Sequence, residues 1–283
     1  MDSLISKPTP GDLKIALNNL PRGKQGLDNT YEQAIERIQG QEADFKKLAI
    51  QVLSWFVYAK RPLCGPELQH APGVKTNNTS ELDNDFLPEL EDLISICAGL
   101  VTVDKESNVI RLVHYTTREY FKRTQKVWFP KAESDITTIC VTHLSFSVFE
   151  SGSCQADNEF KKRLGSHQLY DYAAHNWGNH AREALTLCQE AIDFLESELK
   201  VEAASQALLA IERYPGYSEY SQEFPRQMRG LHLAAYFGLK DAIIDLLEMY
   251  DLKFEDSYNR TPLLWAAESR HEVVVKLLLK KGS

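Results

Sequence analysis

Apolar and polar positions along the chain change period several times, and each change marks an element. The clearest change falls within residues 109–121. Val109-Ile110-Arg111-Leu112-Val113 alternates with a period of two, with Ile110, Leu112 and, less strongly, His114 on one side, which predicts a strand. At Thr116 the pattern switches. Thr116-Thr117-Arg118-Glu119 has capping-box spacing, so a helix is predicted from there with Thr116 as its N-cap and Glu119 reaching back. His114 then stands just ahead of a helix N-terminus, where unpaired amides attract anions. As a residue alone it reads as a partly buried structural histidine.

Upstream, residues 12–20 carry a short helical period that stops at Leu20-Pro21-Arg22-Gly23. A loop over Gly23-Lys24-Gln25-Gly26 and a helix starting at Thr30, with Gln33 at its N3 position, follow. Phe45–Tyr58 is apolar nearly all round, which predicts a central core helix. A short helix over Pro66–His70 is stopped by Pro72-Gly73, residues 75–84 read as a polar loop, and Leu87–Cys97 forms a helix closed by Gly99. Leu100–Val103 and Val109–Val113 then pair as a hairpin around Asp104–Asn108. Helices, a two-stranded wing and a closing helix predict a winged helix-turn-helix over 28–128.

Residues 131–225 read as a helical spacer, with helices over Asp135–Phe149, Asp157–Leu164, Gln168–Ala181, Ala184–Lys200 and Glu202–Arg213. Ala173, Trp177 and His180 share one helical face, with Trp177 as a core anchor. His175 and His180 have no acid or thiol at helical spacing and make no metal site. The last stretch repeats at an offset of 32 residues: Leu231-His232-Leu233-Ala234-Ala235 against Leu263-Leu264-Trp265-Ala266-Ala267, Ile243 against Val275, Leu246 and Leu247 against Leu278 and Leu279. That is the ankyrin period, and it predicts two repeats over 226–283. Asn259 takes the turn position that needs positive φ, and Thr261-Pro262 fixes the first helical turn. Arg229-Gly230 replaces that pair in the first repeat, which predicts a weak cap there. The fold class expected is mainly α.

Composition narrows the function. Of 283 residues, 43% are hydrophobic and no run is long enough to span a membrane. The beginning of the chain lacks a signal-peptide pattern, and five scattered cysteines without C-x-x-C fit reduced thiols, hence a cytoplasmic location. The net charge is −8, and Glu81, Asp83, Asp85, Glu89, Glu91 and Asp92 crowd the helix that would read DNA, so a duplex would be repelled.

Gly26-Leu27-Asp28-Asn29-Thr30-Tyr31, Arg61-Pro62-Leu63 with Glu67-Leu68, Leu112–Thr117 with Glu119-Tyr120-Phe121, Tyr172-Ala173-Ala174 with Trp177 and His180, and the two repeat starts together resemble the C-terminal part of fungal NACHT–ankyrin proteins of the STAND class. The winged-helix part also resembles that named after GPI inositol-deacylase. The resemblance implies that residues 1–27 are the remnant of the end of a NACHT nucleotide-binding domain. It also implies that His114 corresponds to a histidine touching the β-phosphate of ADP, a cofactor contact only if a nucleotide domain is supplied. No G-x-x-x-x-G-K-[ST] and no G-x-S-x-G occur. The expectation is therefore no catalytic residue, no cofactor and no metal: a truncated, non-catalytic interaction module presenting ankyrin repeats to a protein partner. Candidate contacts are Tyr236, Phe237, Tyr258, Asn259, Glu268 and Arg270, and neither nucleic acid nor membrane is expected as a partner. The second repeat ends in apolar residues patterned for a further neighbour, which predicts self-association. The alternative is the regulatory part of a STAND NTPase whose nucleotide-binding domain lies upstream or on another chain.

Overall fold

A helix that is apolar on nearly every side must be surrounded, and Ala43–Tyr58 is. In the structure, a computed structural model describing residues 9, 11, 23–75, 80–104 and 109–282, this helix buries Ala49, Val52, Leu53, Trp55 and Val57. The expected helix over 12–20 and the hairpin tip at 105–108 lie outside the described residues. The first described helix, α1 (Gly23–Gln39), precedes it as α2. Helix α1 begins at Gly23, not Thr30, so the expected Gly23–Gly26 loop is helical. Thr30 Oγ1 donates back to the Gly26 carbonyl at 3.0 Å, and a hydroxyl satisfied inside the turn has no capping task.

Helix α3 (Gly65–Gly73) runs through Pro72 rather than stopping before it. The proline sits in the last turn, and Val74 N–H still reaches the His70 carbonyl at 3.2 Å, so the end closes around it. Helix α4 (Leu90–Ser95) starts three residues later than its apolar pattern, because Leu87, before Pro88, is held extended. Strands β1 (Val101–Asp104) and β2 (Val109–Leu112) pair antiparallel, Val101 opposite Leu112 and Val103 opposite Ile110. Buried Val101 and Ile110 turn the hairpin toward the core, and α5 (Tyr115–Trp128) closes the winged helix against α1 and α2.

The spacer is built on α6 (Ala132–Leu144) packed against α8 (Tyr170–Glu183), with α7 (Asp157–Ser166) between them in sequence. Residues 184–188 are not helical, contrary to the expected Ala184–Lys200 helix. Instead α9 (Gln189–Glu196) and α10 (Glu198–Leu209) meet at Ser197, whose extended backbone breaks the run. Trp177 is the expected anchor: fully buried, it packs edge-on to Phe194 at 5.4 Å and to Phe237 at 5.2 Å.

Phe237 belongs to the repeats, which form two helix pairs, α11 (Gly230–Phe237) with α12 (Lys240–Leu246) and α13 (Pro262–Glu268) with α14 (Glu272–Gly282). Helix α11 packs on α8, α9 and α10, so the spacer serves the first repeat as a preceding repeat would. Two glycines set this junction. A Cβ at Gly178 would lie 2.1 Å from the Phe237 ring, and one at Gly230 would lie 2.0 Å from the Leu195 carbonyl oxygen.

The Gly230 contact is with backbone, which cannot swing away. Gly230→Ala is expected to cost about 1–3 kcal/mol as overpacking does. Urea unfolding should report that loss, and a variant as stable as wild type would show that the junction yields.

Candidate functional site

The histidine ahead of the closing helix is exposed rather than partly buried, and it is itself the N-cap of α5. The expected Thr116–Glu119 capping box is not used. His114 Nδ1 accepts from the Thr116 amide at 3.3 Å and lies 2.8 Å from Thr116 Oγ1, which is also bonded to the Tyr31 hydroxyl. An imidazole acceptor two residues ahead of Thr116 supplies the cap and starts the helix at Tyr115. With Nδ1 accepting, the ring proton sits on Nε2.

The second site is built from the repeat turn. Asp256 is buried, and every oxygen is spoken for: Oδ1 accepts from the amides of Tyr258 (2.8 Å) and Arg260 (3.0 Å), and Oδ2 from Trp265 Nε1 (2.9 Å) and Arg260 Nε (3.2 Å). This network holds Asn259 at the positive φ expected of it, +57°. It also lays the Arg260 guanidinium over the Trp265 ring at 3.8 Å and the Tyr258 ring at 5.3 Å, and the same side chain reaches Glu268 at 3.6 Å. Tyr236 stands against Trp265 at 5.7 Å. Four of the expected contacts therefore meet on one strip: Tyr236, half-buried, with Tyr258, Asn259 and Glu268 exposed. Arg270 is exposed beyond the far end of α13, at φ +60°. Phe237 must be corrected: it is 2% exposed, spent on Trp177 and the Gly178 notch, and offers no surface. Asp256, Arg260 and Trp265 do not stand out as site residues in the sequence: an acid four residues before an arginine at a turn reads as surface charge until the fold buries the acid.

The first repeat's cap is also not weak. His232 Nδ1 accepts from the Arg229 amide at 3.0 Å while its Nε2 faces the Phe254 carbonyl at 3.1 Å, which makes Nε2 the donor.

A third cluster has the look of catalytic chemistry. His180 Nδ1 bonds Glu133, its Nε2 faces the Tyr172 hydroxyl at 2.8 Å, and that hydroxyl accepts from the Lys60 amide at 3.1 Å. Carboxylate, imidazole and hydroxyl in line form a relay in outline. Here His180 and Tyr172 are sealed from solvent, and burial pushes the Tyr172 phenol up. A hydroxyl that no substrate reaches performs no transfer. Burial also raises the thiol of each cysteine, that of Cys97 to about 12, which lowers the share of reactive thiolate. Among the described residues no group of three or more His, Cys, Asp or Glu is placed to hold a metal ion, and no helix is long and apolar enough to cross a membrane.

With this geometry in place, comparison with known families bears on both sites. Residues 36–128 match the GPI inositol-deacylase winged helix domain, and residues 206–283 match ankyrin repeats (3 copies). No curated protein and no solved structure matches the chain. The fold is thus mainly helical, a winged helix with a small two-stranded sheet joined to ankyrin repeats, and the repeats mark an interaction module.

Asp256→Ala would leave four donors without an acceptor, and a loss of about 3 kcal/mol is expected in denaturant unfolding. His114→Ala removes only a cap acceptor and is expected to cost about 1 kcal/mol with an unchanged circular dichroism spectrum.

Proposed function

We propose that this chain is a non-catalytic, cytoplasmic protein-interaction module in which a winged helix (28–128) and a helical spacer (131–225) mount two ankyrin repeats (226–283) for a protein partner. The observation that carries this reading is the strip around Arg260. Exposed Tyr258, Asn259 and Glu268 are ordered there by a buried carboxylate rather than left mobile, which lowers the ordering cost a partner must meet. Aromatic and arginine side chains in such a setting are the usual anchors of interfaces. Arg270 extends the surface at the far end of α13, and the ankyrin match over 206–283 supports a protein as the ligand. Leu264, Val273 and Leu279 are exposed on the last helix pair and support self-association through it.

A second reading rests on His114. An exposed imidazole with its proton on Nε2, capping a fourteen-residue helix, is suited to donate to an anion. In this reading the winged helix is the regulatory part of a NACHT-type STAND protein, with residues 1–27 closing its nucleotide-binding domain and His114 touching the nucleotide.

Two measurements separate these readings. Tyr258→Ala with Arg270→Ala alters exposed side chains, so stability should stay within about 0.5 kcal/mol while proximity labelling loses the wild-type partner set. An unchanged partner set would overturn the first reading. By calorimetry the chain is expected to show no micromolar affinity for ATP or ADP. If a separately supplied nucleotide-binding domain is retained by wild type but not by His114→Ala, the second reading holds.

A further inference from the structure

Four histidine nitrogens at the seam between winged helix and spacer are buried with no hydrogen-bond partner among the described residues: both of His143, Nδ1 of His70 and Nδ1 of His167. They come from three places, His70 on α3, His143 near the end of α6, and His167 between α7 and α8. His143 is wholly buried, with Phe146 at 5.0 Å, Phe149 at 5.8 Å and His167 edge-on at 6.0 Å. Orphaned polar groups of this kind are rare in folded proteins and call for an explanation.

The charged surroundings supply one. His143 feels His167 and His70, His70 feels His167, and His167 feels the Arg163 guanidinium on α7. Arg163 lies over the Phe149 ring at 5.7 Å and is tied to the Gly152 carbonyl at 2.7 Å. Tyr170 on α8 and Cys154 beside it are neutral, held so by burial. Among the described residues no carboxylate acts on the three rings. A proton arriving here finds the Arg163 guanidinium and, among the described residues, no anion.

We propose that His70, His143 and His167 make this seam a proton-operated hinge, opening α3 away from the spacer at mildly acid pH while the Lys60–Arg61 side stays closed. Burial lowers all three histidines below the ordinary 6.5, His143 the furthest. The opened state takes up protons at the ordinary value, so the closed seam is fully favoured above about pH 6.5 and loses its advantage as pH falls below it. Each histidine contributes up to about tenfold in the open-to-closed ratio per pH unit. On the closed side the ties are carboxylates. Burial raises the Glu133 carboxyl, but His180 and Lys60 outweigh it and hold it low, so it keeps its charge over the same range. His180 itself is lowered by burial, yet it is bonded on both sides, to Glu133 and Tyr172. On the opening side Ser147, through its amide (3.0 Å) and hydroxyl (2.6 Å), holds the Ser80 carbonyl and must let go.

The test is amide exchange of the full chain at pH 7.5 and 5.5, corrected for the intrinsic pH dependence. Protection over residues 65–73 and 140–151 is expected to fall at least about tenfold at the lower pH while residues 45–58 hold. His70→Gln with His167→Gln alters two half-buried side chains and leaves His143 alone to take up a proton, so the variant's loss of protection at pH 5.5 should be clearly smaller than that of wild type. Unchanged wild-type protection, or a double variant that opens like wild type, overturns the proposal. Should the double variant not fold, titration of the wild-type imidazole resonances decides. Values below 6.5 that move together with the exchange uphold the hinge, and His143 titrating at its ordinary value overturns it.

Discussion

Two consecutive cations, Lys60 and Arg61, hold the molecule's two halves in register. They stand on the turn that leaves the core helix, and each reaches across to the spacer. Lys60 Nζ lies 3.0 Å from Glu133 and 2.9 Å from Glu183, and Arg61 lies 2.7 Å from both Glu67 and Asp171, with its guanidinium 5.1 Å above the Tyr172 ring. The Lys60 amide bonds the Tyr172 hydroxyl, and through His180 the network returns to Glu133. Closed rings of this kind leave no member unpaired, and the loss of any one strands its neighbours. The net stabilisation of such pairs over apolar packing is small. Their geometry, however, fixes the spacer against the Lys60–Arg61 turn, whereas the contacts of α2 with α6 alone would tolerate sliding.

That placement propagates to the far end. The Tyr172–His180 stretch of α8 also carries Trp177 and Gly178, which receive Phe237 of the first repeat. One helix thus bonds the winged helix through Tyr172 and Asp171 and receives the repeats at Trp177 and Gly178. A displacement of α8 at the Lys60 end must move the floor under α11. The Arg260 strip is therefore mounted on a continuous path of packed side chains beginning at the core helix.

How much of this was legible in the sequence follows from the range of the interactions. The core helix, the wing strands and the ankyrin period depend on local spacing and were legible, as was Asn259, whose turn demands positive φ whatever surrounds it. Caps were less so. A histidine is a rare N-cap, and Thr116-Thr117-Arg118-Glu119 spelled a better one two residues on. The outcome turned on Tyr31, 85 positions away, which engages the Thr116 hydroxyl. His180 read as lacking an acid partner because Glu133 lies 47 residues upstream, on another helix. Phe237 read as a surface contact because nothing local says that Gly178 leaves a notch for it.

The departure of the first repeat from its own pattern has the same origin. A Thr-Pro start sets the first turn through a hydroxyl cap and a fixed φ, as Thr261 and Pro262 do, with Oγ1 accepting from the Leu264 amide. At the first repeat that start would put a proline ring where even a Cβ meets the Leu195 carbonyl at 2.0 Å. The spacer's backbone, not a preceding repeat, occupies that space, so only glycine fits. Glycine brings back the conformational freedom that proline removes, and Arg229 has no hydroxyl to cap with. Both losses are met from inside the repeat. His232 reaches back to the Arg229 amide while donating to Phe254, and the Arg229 guanidinium sits 3.5 Å from the Phe254 ring centre. The substitution that makes the first repeat look degenerate is thus the adaptation that lets a repeat stack begin on a helical domain.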